Sequence, residues 1–213
     1  MTASRVSALV LAFALGVAPA LAEVRILAFG DSLTAGFGLP EAEGFVPQLE
    51  AWLHAHGAPD VTVVNGGVSG DTSAGGLARI EWALEGDVDG VIVALGANDM
   101  LRGLDTGAMR DNLDAILDAI DAERLPALLA GLPAPPNYGP EYRKAFKAAF
   151  RELAAEHDAI YVSSFLGGMS GRSVREVLAL MQDDRMHPNA RGVAANVAAI
   201  GPAVLELVER ARR

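Results

Sequence analysis

Short apolar runs rich in Val, Ile and Leu recur along the chain at 24–29, 61–64, 88–95, 126–132 and 159–162, and each gives way to Gly, Asn, Ser or Pro. Runs of this length without polar alternation predict strands buried on both faces. Between them, apolar positions three and four residues apart predict helices over 41–56, 73–84, 106–122, 141–156 and 174–181. A last helix is expected from Asn189, its N-cap, towards the C-terminus, with Pro202 kinking or breaking it. Strand and helix alternating in this way imply a parallel sheet with right-handed crossovers: a three-layer α/β/α sandwich on five parallel strands. The Pro-rich stretch 132–140 reads as a loop after the fourth strand, and neither an internal repeat nor a long linker interrupts the pattern.

Residues 1–22 stand apart from this alternation. Arg5 supplies a positive start, positions 8–17 a short apolar centre, and Ala20-Leu21-Ala22 a small-residue cleavage signal, so this stretch is expected to be a signal peptide cut before Glu23. Its apolar run is too short to cross a bilayer. The product would be periplasmic or secreted, with residues 23–213 forming one domain that buries a full core.

The whole chain carries a net charge of −10, and residues 1–22 hold one basic residue and no acid. The exported part is therefore more acidic still, which argues against nucleic acid or an anionic membrane surface as partner. With no cysteine, there is no disulfide framework, thiol nucleophile or thiolate metal site. Such a chain must be held by its core, and 51% hydrophobic residues suit that demand. No stable membrane insertion is expected, and the chain is expected to be a monomer.

In open parallel sheets, ligands bind at the carboxyl ends of the strands. After the first strand comes Gly30-Asp31-Ser32-Leu33, a serine on a glycine-permitted turn. After the second lies a glycine-containing loop, 65–73, whose backbone N–H groups can approach a ligand closely. The third is followed by Gly96-Ala97-Asn98-Asp99, where the Asn98 carboxamide can donate to a developing oxyanion.

A serine nucleophile needs a base, and the chain has four histidines. His54 and His56 fall in a helical pattern, and His157 follows the end of another; none has an acid three residues earlier. His187 does, in Asp184-Arg185-Met186-His187. An acid at that spacing in a loop can accept the Nδ1–H of the imidazole and leave Nε2 free for the serine proton, so the inferred triad is Ser32, His187 and Asp184. Read singly, each part has an ordinary structural role: a turn for Gly-Asp-Ser, a cap for Asn98, loop braces for Asp71 and Asp99, a salt bridge or metal ligands for Asp184 and His187. Their conjunction at one edge of one sheet points to catalysis. The glycine loop lacks the Gly-Lys-Ser/Thr ending of a phosphate-binding loop.

Gly30-Asp31-Ser32-Leu33, Gly70, Gly96-x-Asn98-Asp99 and Asp184-x-x-His187 resemble, in order, the four sequence blocks of the GDSL/SGNH hydrolases. The chain is most similar to their bacterial periplasmic thioesterase/arylesterase/lysophospholipase branch, through 30–36, 69–73, 76–79, 101–103, 136–139 and 181–189. The resemblance implies a flavodoxin-like sheet, Ser32 as nucleophile, His187 as base and Asp184 as orienting acid. It also implies an oxyanion hole from the N–H groups of Ser32 and Gly70 with the Asn98 side chain, and an acyl ester or thioester as substrate. The chain departs from the branch at Ala97, where a second glycine is expected, at Met100, and over 165–172, which is expected to reshape the acyl groove.

Leu33, Phe37, Leu101, Leu104 and Pro135-Pro136 are expected to form an apolar site with Arg102 and Arg185 as its cations, suited to a small-molecule or lipid acyl group with a modest polar head. Two readings compete: a carbohydrate O-acetylesterase of the same fold, which would want aromatic residues for sugar stacking, and a non-catalytic periplasmic acyl- or lipid-binding protein. A binder has no need of an acid-oriented histidine. No cofactor and no metal is implied.

Overall fold

The computed structural model describes residues 23–213; the expected signal peptide, 1–22, lies outside the described residues. Five strands, β1 (Val24–Gly30), β2 (Val61–Gly67), β3 (Gly90–Ala94), β4 (Ala127–Ala130) and β5 (Ile160–Val162), form one parallel sheet in the order β2-β1-β3-β4-β5. This doubly wound order reverses direction between β1 and β3, and such a switch point opens a crevice at the strands' carboxyl ends.

Helices cover both faces. They are α1 (Ser32–Ala35), α2 (Phe45–Ala55), α3 (Ser73–Leu77), α4 (Ile80–Leu84), α5 (Ala97–Leu101), α6 (Thr106–Ala122), α7 (Pro140–Glu156), α8 (Val174–Leu178) and α9 (Ala190–Ala211). Alternation along β1 divides the core. Ile26 and Ala28 pack with Leu49 and Leu53 of α2 and with Val197, Ile200 and Val204 of α9. Leu27 and Phe29 face Met109, Leu113, Ile116 and Ile120 of α6 and Phe146, Phe150 and Leu153 of α7. Asn189 caps α9, its side chain accepting from the backbone N–H groups of Arg191 and Gly192.

Several sequence expectations change: the helix expected over 41–56 begins only at Phe45, after an extended Gly44, and that over 174–181 ends at Leu178. The pattern over 73–84 predicts one helix, but Arg79 breaks it at φ −130°, ψ 0°, because its guanidinium turns inward to bind the ends of β1 and β2. The predicted strand at 61–64 continues through Asn65 to Gly67, since Gly66 and Gly67 pair with Phe29 and Gly30.

Pro202 does not break α9, which runs on to Ala211. Gly201 precedes it, so the proline ring meets no Cβ from its neighbour, and Ala198, whose carbonyl loses its partner, lies on the exposed face. Gly201 is required for a second reason: a Cβ there would lie 2.5 Å from the Trp52 ring.

Candidate active site

The turn from β1 into α1 places Ser32 at the first position of the helix. Asp31 caps that helix, accepting from the backbone N–H of Leu33 at 3.0 Å. Gly30 has no room for a side chain, since a Cβ would lie 2.2 Å from Thr34 Oγ1 and 2.8 Å from the carbonyl of Ala94. The serine is thereby held at the sheet's switch point, between the ends of β1 and β3.

Residues from the far end of the chain close on it. The hydroxyl of Ser32 donates to His187 Nε2 at 2.9 Å, across 155 residues of sequence, and His187 Nδ1–H donates to Asp184 at 2.6 Å. The carboxylate fixes this tautomer because it can only accept. Its other oxygen accepts from the backbone N–H groups of Met186 and His187, each at 2.9 Å. These bonds, the His187 amide foremost, hold Asp184 down to about 2, so it stays anionic through the physiological range. The Phe37 ring lies against the imidazole, with centroids 4.7 Å apart.

The expected oxyanion donors face the same space. Gly70 takes φ +88°, a left-handed conformation that suits glycine. Among the described residues, the backbone N–H groups of Ser32 and Gly70 donate to no protein acceptor. The Asn98 carboxamide donates to the carbonyl of Asp71 at 2.9 Å, and its nitrogen stands 3.4 Å from the Asp31 carboxylate. One N–H is thus anchored, while the other has only a long, weak contact.

Beside these groups lies an open cavity of about 560 Å³. Of the expected edge residues, Leu33, Phe37, Leu101, Pro135 and Arg185 line it, whereas Leu104, Pro136 and Arg102 do not. Arg102 instead donates to the carbonyl of Gly70 at 2.7 Å and steadies that loop. Met100, Leu132, Pro133, Leu166, Met181 and Met186 complete an apolar lining that the sequence pattern did not assign. Of the unmatched segment 165–172, Leu166 reaches the cavity; Phe165 packs on Phe45, and Gly168 sits against the backbone of α9.

Two residues that carry the family resemblance, Arg79 and Asp31, have roles that the sequence pattern did not assign. Arg79 stacks over the Phe29 ring at 4.0 Å and donates to Asp71 at 2.6 Å, to the Gly66 carbonyl at 2.9 Å and to the Gly30 carbonyl at 3.0 Å. It therefore clamps the two strand ends that carry the serine and the glycine loop. Asp31 is 1% exposed, and burial pushes its carboxyl up to about 6, against the opposing pull of the Leu33 N–H and of His187. Asp31 directly follows the end of β1, a signal the sequence does offer, whereas Arg79 lies twelve residues beyond the end of β2 and no local pattern marks its role.

The remaining histidines are occupied elsewhere. His54 reaches the carbonyl of Val61 at 2.7 Å, and His56 stacks on Trp52. His157 lies between Asp121 and Asp114, at 2.6 and 2.8 Å. Asp118, Asp121 and His157 stand close enough to share a metal ion, but both imidazole nitrogens face carboxylates. That arrangement suits an imidazolium, which has no lone pair for a metal. Asp99 is a brace, accepting from the Ser73 hydroxyl at 2.6 Å and the Ser73 amide at 2.8 Å.

Residues 28–195 match the model of the GDSL-like lipase/acylhydrolase family. The chain belongs to that family. It is 40% identical to Esterase TesA of Pseudomonas aeruginosa over 76% of this chain and 79% of the relative. It is 35% identical to Thioesterase 1/protease 1/lysophospholipase L1 of Escherichia coli K12 over 80% of this chain and 78% of the relative. The crystal structure of AlinE4, an SGNH-hydrolase family esterase, superposes with a TM-score of 0.71 at 42% identity, covering 86% of this chain and 96% of that one. As a member of the family, the protein is an ester-hydrolysing enzyme with the α/β architecture of the SGNH hydrolases.

Proposed function

We propose that the protein hydrolyses acyl esters and thioesters through a Ser32–His187–Asp184 triad and an acyl-enzyme intermediate. The observation that carries this reading is the continuous chain of hydrogen bonds from Ser32 Oγ through His187 to Asp184, at 2.9 and 2.6 Å, opening on an apolar cavity. Ser32 Oγ attacks the carbonyl carbon while His187 Nε2 takes its proton. The resulting oxyanion is held by the N–H groups of Ser32 and Gly70 and by the Asn98 carboxamide. His187 returns the proton to the departing alcohol or thiol as the tetrahedral species collapses to the acyl-enzyme. Water, deprotonated by His187, then attacks the acyl carbon, and His187 returns that proton to Ser32 Oγ as the bond to the acyl carbon breaks and the acid leaves.

The lining favours an acyl chain over a sugar. Phe37 is the one Phe, Tyr or Trp that it contains, and Leu33, Leu101, Leu132, Leu166 and the methionines offer flexible apolar contact. Aryl esters, acyl-CoA and lysophospholipids fit this description, and the relative in Escherichia coli carries the thioesterase and lysophospholipase names. Export through residues 1–22 belongs to the same proposal.

A hydrolysis screen of the 23–213 protein across aryl esters, acyl-CoA, lysophospholipids and acetylated sugars of graded chain length tests the reading. Turnover rising with acyl length beyond acetyl supports it. A preference confined to acetylated sugars overturns the substrate class, and no turnover of any ester overturns the enzyme.

A further inference from the structure

Arg185 sits between the acid and the base of the site, in a backbone conformation that arginine rarely takes. Its φ is +56°. Among the described residues, the two other non-glycine residues with positive φ, Arg124 and Asp158, each follow the end of a long helix, where a left-handed residue commonly terminates the turn. Arg185 closes no helix. Its conformation belongs to the tight turn in which its own N–H donates to the Gln182 carbonyl at 2.9 Å and Asp184 accepts the two following amides. Glycine would fill that position without strain, so the arginine side chain has to be sought for its own contribution.

That side chain is exposed and lines the cavity. It takes part in none of the ion pairs found among the described residues. Apart from the imidazole of His187, it is the one basic group lining the cavity among the described residues, on a chain whose net charge is −10. Such a chain repels anionic substrates at long range, and a single guanidinium at the mouth decides whether an anion can settle there. Its position also fixes which end of the substrate it meets. His187 Nε2 must hand its proton to the leaving oxygen or sulfur, so the leaving group departs along the His187 loop, of which Arg185 and Met186 both line the cavity.

We infer that Arg185 is a specificity-determining residue that recognises an anionic group, carboxylate or phosphate, on the leaving-group side of the substrate. A planar guanidinium suits both anions, because it donates two parallel hydrogen bonds. The inference rests on the esterase reading and adds to it the chemistry of the alcohol or thiol.

The test compares two octanoyl esters, neutral 4-nitrophenyl octanoate and anionic 4-nitro-3-(octanoyloxy)benzoate, in the wild-type protein and in Arg185→Gly, Arg185→Lys and Arg185→Glu. A second pair, 1-octanoylglycerol and its 3-phosphate, asks whether phosphate is read as carboxylate is. The readout is the ratio of kcat/KM, anionic over neutral. It is expected to fall about tenfold in Arg185→Gly, chiefly through KM, to fall further in Arg185→Glu and to be held partly by Arg185→Lys. Raising salt should move the wild-type ratio towards that of Arg185→Gly.

Arg185→Gly should melt at or above the wild-type temperature, because glycine accepts the positive φ. A ratio that collapses in either pair supports the inference and identifies the anion. Ratios unmoved in both pairs, or a parallel loss on anionic and neutral esters, overturn it while leaving the esterase reading intact. Failure of the wild-type protein to cleave any of the four esters sinks the esterase reading, and this inference with it.

Discussion

The side-chain amide of Gln182 donates to the carbonyl of Phe37 at 2.8 Å, joining two loops 145 residues apart in sequence. The same nitrogen donates to the carbonyl of Pro188 at 2.9 Å. One loop follows Ser32 and the other carries His187, so this amide helps set the gap between Ser32 and His187. Gly38 makes the approach possible, for a Cβ there would lie 2.3 Å from Gln182 Oε1. Replacing Gln182 by Glu removes both donors at nearly constant volume. A misplacement of about 1 Å costs on the order of a hundredfold in rate. Gln182→Glu should accordingly lose roughly ten- to a hundredfold in kcat on an aryl ester, with KM changed less than about threefold. Steady-state kinetics on that one substrate decide it.

Asp31 gives the fold a pH dependence of opposite sign to the usual carboxylate. Burial raises its folded value to about 6, above the unfolded value, so the folded state binds the extra proton between about pH 4 and 6. Stability therefore falls as pH rises through that window, by roughly 2 to 3 kcal/mol. Asp31→Asn does not titrate, and its stability relative to wild type should improve by that amount between pH 4 and pH 8, read from urea unfolding. His187, Asp71 and Asp99 face this carboxyl, the first lowering its pKa and the other two raising it, and burial outweighs them.

Arg79 holds the strand ends through four contacts while only 18% of its side chain is exposed. Removing the cation leaves Asp71, itself 17% exposed, without its partner, along with two carbonyl acceptors. Arg79→Met should cost about 3 kcal/mol in denaturant unfolding. Arg79→Lys keeps the charge without the fork and should recover only part of it.

The sheet and most long helices were legible because each apolar run is long enough, and each period regular enough, to dictate its own element. Thr106–Ala122 shows this well: its buried positions 109, 113, 116, 117 and 120 recur at helical spacing, and the structure keeps the predicted bounds. Ser32, Asn98, Asp184 and His187 were legible as residues, since each follows a strand or sits in a short acid–histidine motif. Less visible was anything decided by contacts remote in sequence. The test of an acid three residues earlier isolates His187, yet His157 also has carboxylates on both nitrogens, supplied from 36 and 43 residues away. What sets His187 apart in space is Ser32, not the acid. The break at Arg79, the staple at Gln182 and the burial of Asp31 likewise depend on partners that no local window contains.

Pro202 offers a test of the helix argument. It is exposed in mid-helix, and its missing N–H leaves the carbonyl of Ala198 unpaired. Pro202→Ala restores that bond and should stabilise the protein by about 1 to 3 kcal/mol, seen as a rise in melting temperature without change in activity.

The central claim is that Ser32 is a nucleophile activated by His187. Intact-mass and peptide spectrometry after treatment with a serine-directed fluorophosphonate reads it directly. The account predicts one adduct per chain, on Ser32, formed at least a hundredfold more slowly in His187→Ala and absent from Ser32→Ala, which should also lose ester hydrolysis. Labelling at another residue, or a Ser32→Ala protein that hydrolyses an aryl ester at the wild-type rate, would contradict it.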